Sequence, residues 1–146
     1  MRAILIVLSL LLISGCRAQP SYSFFDEHEK AFSTYMGANE TKAKETLIAF
    51  LKNSEDNWEK VLGEKRLNPT RVMAMEYLHL ANIYRFEGNA PEFDRAVRNA
   101  IRYLDRDPAI AGDSQYREDK IRAALRILDE PEKTNPPKWR QTSASK

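Results

Sequence analysis

Histidine and cysteine are the scarcest reactive side chains in this chain of 146 residues, with two of the first and one of the second. His79 follows Glu76 by three positions, a spacing that puts both on one helix face and that di-iron helical bundles use in pairs. Here it occurs once, because the other histidine, His28, has Phe25 where a matching glutamate would stand. A zinc site needs three or four convergent ligands, so no metal site is assigned. His79 is instead expected to be a partly buried histidine bonded to a neighbouring helix. Asp26, Glu27 and Glu29 surround His28 in what reads as a first helical turn, where carboxylates complement the helix dipole.

No other constellation selects a reaction. There is no Gly-x-Ser-x-Gly elbow for an activated serine, and the five glycines form no phosphate-cradling loop. Carboxylates are plentiful, but nothing in their spacing singles out a pair for acid and base work. The chain is therefore read as a non-enzyme, with no catalytic residue and no cofactor.

Cations are more organised. Arg95, Arg98, Arg102 and Arg106 recur every three or four positions, which places a stripe of guanidinium forks along one side of a helix. Such a stripe suits an acidic partner, anionic lipid or an envelope polymer. The alternative is a solvated face paired with Asp94, Asp105 and nearby acids. Lys138-Trp139-Arg140 sets an aromatic ring between cations in a polar tail, where it reads as an exposed anchor for a partner or a membrane interface.

The N-terminus carries the clearest signal. Arg2 precedes an apolar run from Ala3 to Ile13, interrupted only by Ser9. The run has the shape of a signal peptide and about half the ~20 residues that a membrane span requires. It closes on Leu12-Ile13-Ser14-Gly15-Cys16, which resembles the lipobox of bacterial lipoproteins: an aliphatic residue, two small ones, then cysteine. That resemblance, confined to the first sixteen residues, implies a diacylglycerol on the Cys16 sulfur, cleavage between Gly15 and Cys16, and attachment to a membrane. An ordinary signal-peptide site ending at Ala18 would put Cys16 in the pocket position instead. Acylation takes Cys16 out of consideration as a nucleophile or disulfide partner. By analogy with enteric lipoproteins, Arg17 in place of aspartate after the cysteine implies the outer membrane, facing the periplasm.

Residues 16–146 are enough for one compact domain with a modest core. No second cysteine is present, so packing rather than an intrachain disulfide must stabilise it. A formal net charge of +2 carries no signature of nucleic-acid binding. The expected organisation is a signal peptide over 1–15, a lipidated tether over 16–22, a helical domain over 23–130 and a disordered polar tail over 131–146.

The elements that would position these residues are helices, since the apolar residues recur at helical rather than alternating spacing. Ser23 with Asp26 reads as a capping box before a helix whose apolar face is Phe25, Phe32 and Met36, ended by Gly37. Asn39 can cap a second helix with Ala43, Leu47, Phe50 and Leu51 inward, breaking or kinking at Asn53-Ser54. Trp58, Val61 and Leu62 either form a short third segment or continue the second. Asn68-Pro69 opens a central helix, apolar around most of its circumference and stopped by Gly88. Asn89 and Pro91 open the next, which carries Phe93, Val97, Ala100, Ile101 and Leu104 up to Asp107-Pro108. A last helix is expected from Asp113 or Ser114 to Pro131.

The fold class is thus all-α, five or six helices arranged as antiparallel hairpins. Leu80-Ala81, Tyr84 and Gly88, followed by Ala100 and Pro108, resemble a tetratricopeptide repeat; with a weaker preceding copy, the resemblance covers Phe24 to Pro108. It implies hairpins packed through small residues and stacked into a surface that holds peptides. An irregular helical bundle is the alternative. The functional expectation is a membrane-anchored helical adaptor that binds an envelope protein or peptide; the alternative is a periplasmic inhibitor or immunity lipoprotein that blocks a toxin or hydrolase.

Overall fold

A computed structural model describes residues 22–109, 132 and 134–143. The leader, the lipobox with Gly15 and Cys16, and the helix expected between Asp113 and Pro131 lie outside the described residues. Within them the chain is all-α, without a strand. Its helices are α1 (Phe24–Gly37), α2 (Glu40–Asp56), α3 (Trp58–Leu62), α4 (Pro69–Phe86), α5 (Ala90–Leu104) and α6 (Lys138–Ser143). No described helix is long and apolar enough to cross a membrane.

Each long helix starts where a side chain can satisfy its unpaired amides. Ser23 Oγ accepts from the Asp26 amide (3.3 Å), and Asn39 Oδ1 from that of Lys42 (2.9 Å). Asn68 Oδ1 takes the amides of Thr70 (3.1 Å) and Arg71 (3.2 Å), with Pro69 in the first helical turn. Asn89 Oδ1 takes that of Glu92 (3.4 Å). Both long hairpins are closed by links of two or three residues, so α1 and α2 pack antiparallel, as do α4 and α5.

The turn after α4 is a Schellman closure. The Asn89 amide reaches Tyr84 O at 2.9 Å and the Gly88 amide reaches Arg85 O at 3.2 Å, with Gly88 at φ +71°. An added Cβ at Gly88 would meet nothing within 4 Å, so any cost of substitution is conformational. Gly88→Ala is expected to lower the unfolding free energy by about 1 kcal/mol, and Gly88→Asn by less. Urea titration of the two variants reads the difference.

The core runs between the hairpins. α4 is buried almost all the way round, from Thr70 to Ile83, because α2 and α5 pack against it on different sides. Ala81 and Ala100, the small residues of the repeat-like pattern, are both fully buried. Ala43, Leu47, Phe50 and Leu51 of α2 point inward as expected.

Three expectations are corrected. First, the inner face of α1 is Phe24, Ala31 and Tyr35, whereas Phe32 is 44% exposed and Phe25 and Met36 are only partly covered. The face is turned by one residue because the polar aromatics His28 and Tyr35 find partners inside. Second, α2 runs without a break through Asn53-Ser54 to Asp56. Ser54 is buried because its hydroxyl pairs with the Tyr22 hydroxyl at 2.8 Å. The chain leaves the helix at Asn57, whose side chain takes Asn53 O at 2.9 Å, and α3 is separate. Third, Lys138–Ser143 are helical rather than part of a structureless tail, and α6 packs on α1 and α2.

Candidate functional site

The most unusual chemistry is at the α1–α4 contact. Glu76 is fully buried at the middle of α4. His79, one turn on, brings Nδ1 to 3.0 Å from Oε2. His28 comes across from α1 with Nδ1 2.9 Å from Oε1, close enough for a charge contact but not aligned as a hydrogen bond. Burial pushes the Glu76 carboxyl up, but the imidazoles of His79 and His28 outweigh it and hold the acid below its ordinary value. Both histidines of the chain thus converge on one carboxylate. The sequence pointed to Glu76 and His79, but His28 was set aside because Phe25 stands where a glutamate three positions before it would be. The only sequence signal for it was its position within the Phe24, Ala31 and Tyr35 face.

Their Nδ1 atoms face the carboxylate itself, and among the described residues no group of three or more His, Cys, Asp or Glu is placed to hold a metal. What the triad does physically is satisfy a buried charge and lock α1 onto α4.

A second polar cluster adjoins it. Tyr35 stacks on the His79 ring with centroids 4.4 Å apart, and its hydroxyl donates to Glu132 Oε1. Asn82 Nδ2 donates to Glu132 Oε2 and, at 3.1 Å, to the Tyr35 hydroxyl oxygen; Arg140 Nη1 completes the carboxylate at 3.2 Å. Burial and the negative charge of Glu132 push the Tyr35 phenol well above its usual range. Glu132 is itself 5% exposed, so this network ties the C-terminal segment to α1 and α4.

Trp139, expected as an exposed anchor, is fully buried. Its ring lies 5.8 Å from Tyr35 and 5.4 Å from Phe86, with Pro137 buried beside it in sequence. The reason is that Tyr35 and Phe86 offer it two ring faces while Arg140 settles over Phe86 at 4.6 Å. Trp139 is therefore a core residue, unsuited to meeting a partner in this conformation.

Taken ring by ring, Phe32, His79, Tyr35, Trp139 and Phe86 make a continuous aromatic seam, with the Phe32–His79 centroids 5.6 Å apart. Its two ends open to solvent: Phe32 is 44% and Phe86 42% exposed. Arg85 lies 5.8 Å from the Phe86 ring centre.

The arginine stripe is divided. Arg95 pairs with Glu92 at 3.0 Å rather than with Asp94. Arg102 reaches Glu55 Oε1 at 3.2 Å, the same oxygen that accepts from Tyr77 (2.9 Å) and Tyr103 (3.0 Å). Burial, together with Glu55, pushes the Tyr103 phenol up to about 12. Arg106 lies over the Tyr103 and Trp58 rings at 5.2 and 6.0 Å. Among the described residues, Arg98 is exposed with no carboxylate partner. Only its C-terminal half ties this hairpin to α2 and α3, through Arg102 and through Arg106 just past the end of α5.

Compared with known proteins, the chain matches no family model, no curated protein and no solved structure.

Proposed function

We propose that the protein is a lipid-anchored helical adaptor of the bacterial envelope, held through Cys16 on the outer membrane and facing the periplasm. Its domain docks another envelope protein or peptide on the α1–α4 seam. The observation that carries this reading is the pair of exposed rings, Phe32 and Phe86, on the first helices of the two hairpins, with arginines beside one of them. Aromatic rings and arginine are the side chains that dominate binding energy at protein interfaces. Polar contacts of Glu76, Glu132 and Asn82 beneath the seam hold those rings on a fixed scaffold, which limits the entropy lost on binding.

The lipid anchor supports the reading from another direction, since a tether raises the local concentration of membrane partners. Affinity purification from detergent-solubilised membranes tests it. One envelope protein should be recovered in near-stoichiometric amount, with Phe32→Ala lowering recovery at least tenfold and Arg98→Ala having a smaller effect. Equal recovery by wild type and Phe32→Ala would place the contact elsewhere.

A further inference from the structure

The tether would be short. From Cys16 to Tyr22 there are six steps, or at most about 20 Å of extended chain. Tyr22 is pinned to the domain by its hydroxyl, 2.8 Å from Ser54 Oγ near the end of α2. Whatever lies beside Tyr22 is therefore close to the surface in which the Cys16 lipid sits. A shallow cavity of about 390 Å³ opens there, lined by Tyr22, Ser23, Phe24, Lys60 and residues 63–66, with Leu62 next to it in sequence.

Three features of residues 60–66 point the same way. Leu62, at the end of α3, is 53% exposed, more than any other large apolar side chain among the described residues. Lys60 and Lys65 flank it, both exposed, and neither meets a carboxylate among the described residues; Lys60 Nζ touches only Asn57 Oδ1, at 3.3 Å. The acid between them is engaged locally: Glu64 accepts from the amides of Lys65 (2.9 Å) and Arg66 (2.8 Å) and pairs with the Arg66 guanidinium, which leaves the exposed Glu59 as the acid nearest Lys60 in sequence. That guanidinium rests 4.2 Å over the Phe25 ring.

We infer that this end of the domain is a bilayer-docking surface, with Leu62 entering the interface and Lys60 and Lys65 contacting the phosphates of anionic lipid. An apolar tip with a basic rim is the composition that binds such interfaces. The diacylglycerol on Cys16 would already hold the protein on the membrane, so a weak second contact acts on the orientation of the domain rather than on whether it stays bound. This rests on the lipid-anchor reading. Docked in this way, the tether end is covered and the middle of the hairpins stands away from the bilayer.

The test uses full-length lipidated protein in vesicles of phosphatidylcholine alone or with about a third phosphatidylglycerol. Because Cys16 is capped by lipid, a new cysteine at Leu62→Cys takes an environment-sensitive fluorophore alone. Lys42→Cys, about 18 Å along α2 from Ser54, provides the distant comparison. Co-flotation with vesicles reads anchoring, and the fluorophore reads docking.

The label at position 62 should shift to the blue and be quenched by lipid-borne quencher in anionic vesicles, while the label at 42 stays unchanged. Lys60→Glu with Lys65→Glu should remove the shift without abolishing flotation, and each lysine lost should weaken docking by about fivefold. Flotation with a label at 62 that behaves like the one at 42, or with a shift that ignores lipid charge, overturns the docking surface and leaves the anchor standing. Failure to float overturns the anchor, and the docking inference with it.

Discussion

Glu76→Gln should lower the unfolding free energy by about 3 kcal/mol at pH 7, because it removes the charge on which both histidines converge and leaves their pairing unmet in a dry contact. Glu76 is fully buried between His28 and His79, whose Nδ1 atoms stand 2.9 and 3.0 Å from its two oxygens. The effect also has a pH signature. The folded carboxyl titrates below its ordinary value of 4.5, since the imidazoles outweigh the upward push of burial. Its contribution is therefore fully present above about 4.5 and is lost as pH falls through the lower, folded value. Urea melts of wild type and Glu76→Gln from pH 7 to pH 3 should show a wide gap that closes in the acid limb. A gap that stays constant across that range would mean that Glu76 acts through shape and not through charge.

Trp139→Ala is the other large effect, expected at about 3 kcal/mol. It empties a fully buried indole from between Tyr35 and Phe86. A tryptophan in an unstructured polar tail would cost less than about 0.5 kcal/mol on removal. Trp139→Phe keeps most of the ring contact and should fall between the two. The same variant should expose more of Tyr35 and Phe86, so a partner that uses the seam would bind Trp139→Ala differently from wild type even where both are folded.

These two sites also mark how far the sequence could be read. The four long helices were legible because their start signals are local: Ser23, Asn39, Asn68 and Asn89 each cap the helix they precede. Gly88 was legible for the same reason, since a left-handed closure leaves few alternatives to glycine. The inward face of α1 was not. Apolar periodicity favoured Phe25, Phe32 and Met36, whereas Tyr35 and His28 turn inward because Glu132, Asn82 and Glu76 are there to bond them. Tyr35 and Glu132 are 97 positions apart, a pairing that no window along the chain reveals. Trp139 was misread for a related reason: its cationic neighbours and the prolines before it look like a solvated tail, and only the ring faces supplied by α1 and α4 make it a core residue. Of the arginine stripe, the spacing was visible but the destinations were not, because Glu55 and Trp58 come from α2 and α3.

The seam and the anchor make a joint claim, that the domain meets its partner through Phe32 and Phe86 while held at a membrane. The direct measurement is photo-crosslinking in intact cells, with benzoyl-phenylalanine replacing Phe32. One discrete adduct with an envelope protein is expected, weakened by Phe86→Ala and lost when Cys16→Ser removes the site of lipid attachment. No adduct, or an adduct that neither substitution alters, would contradict it.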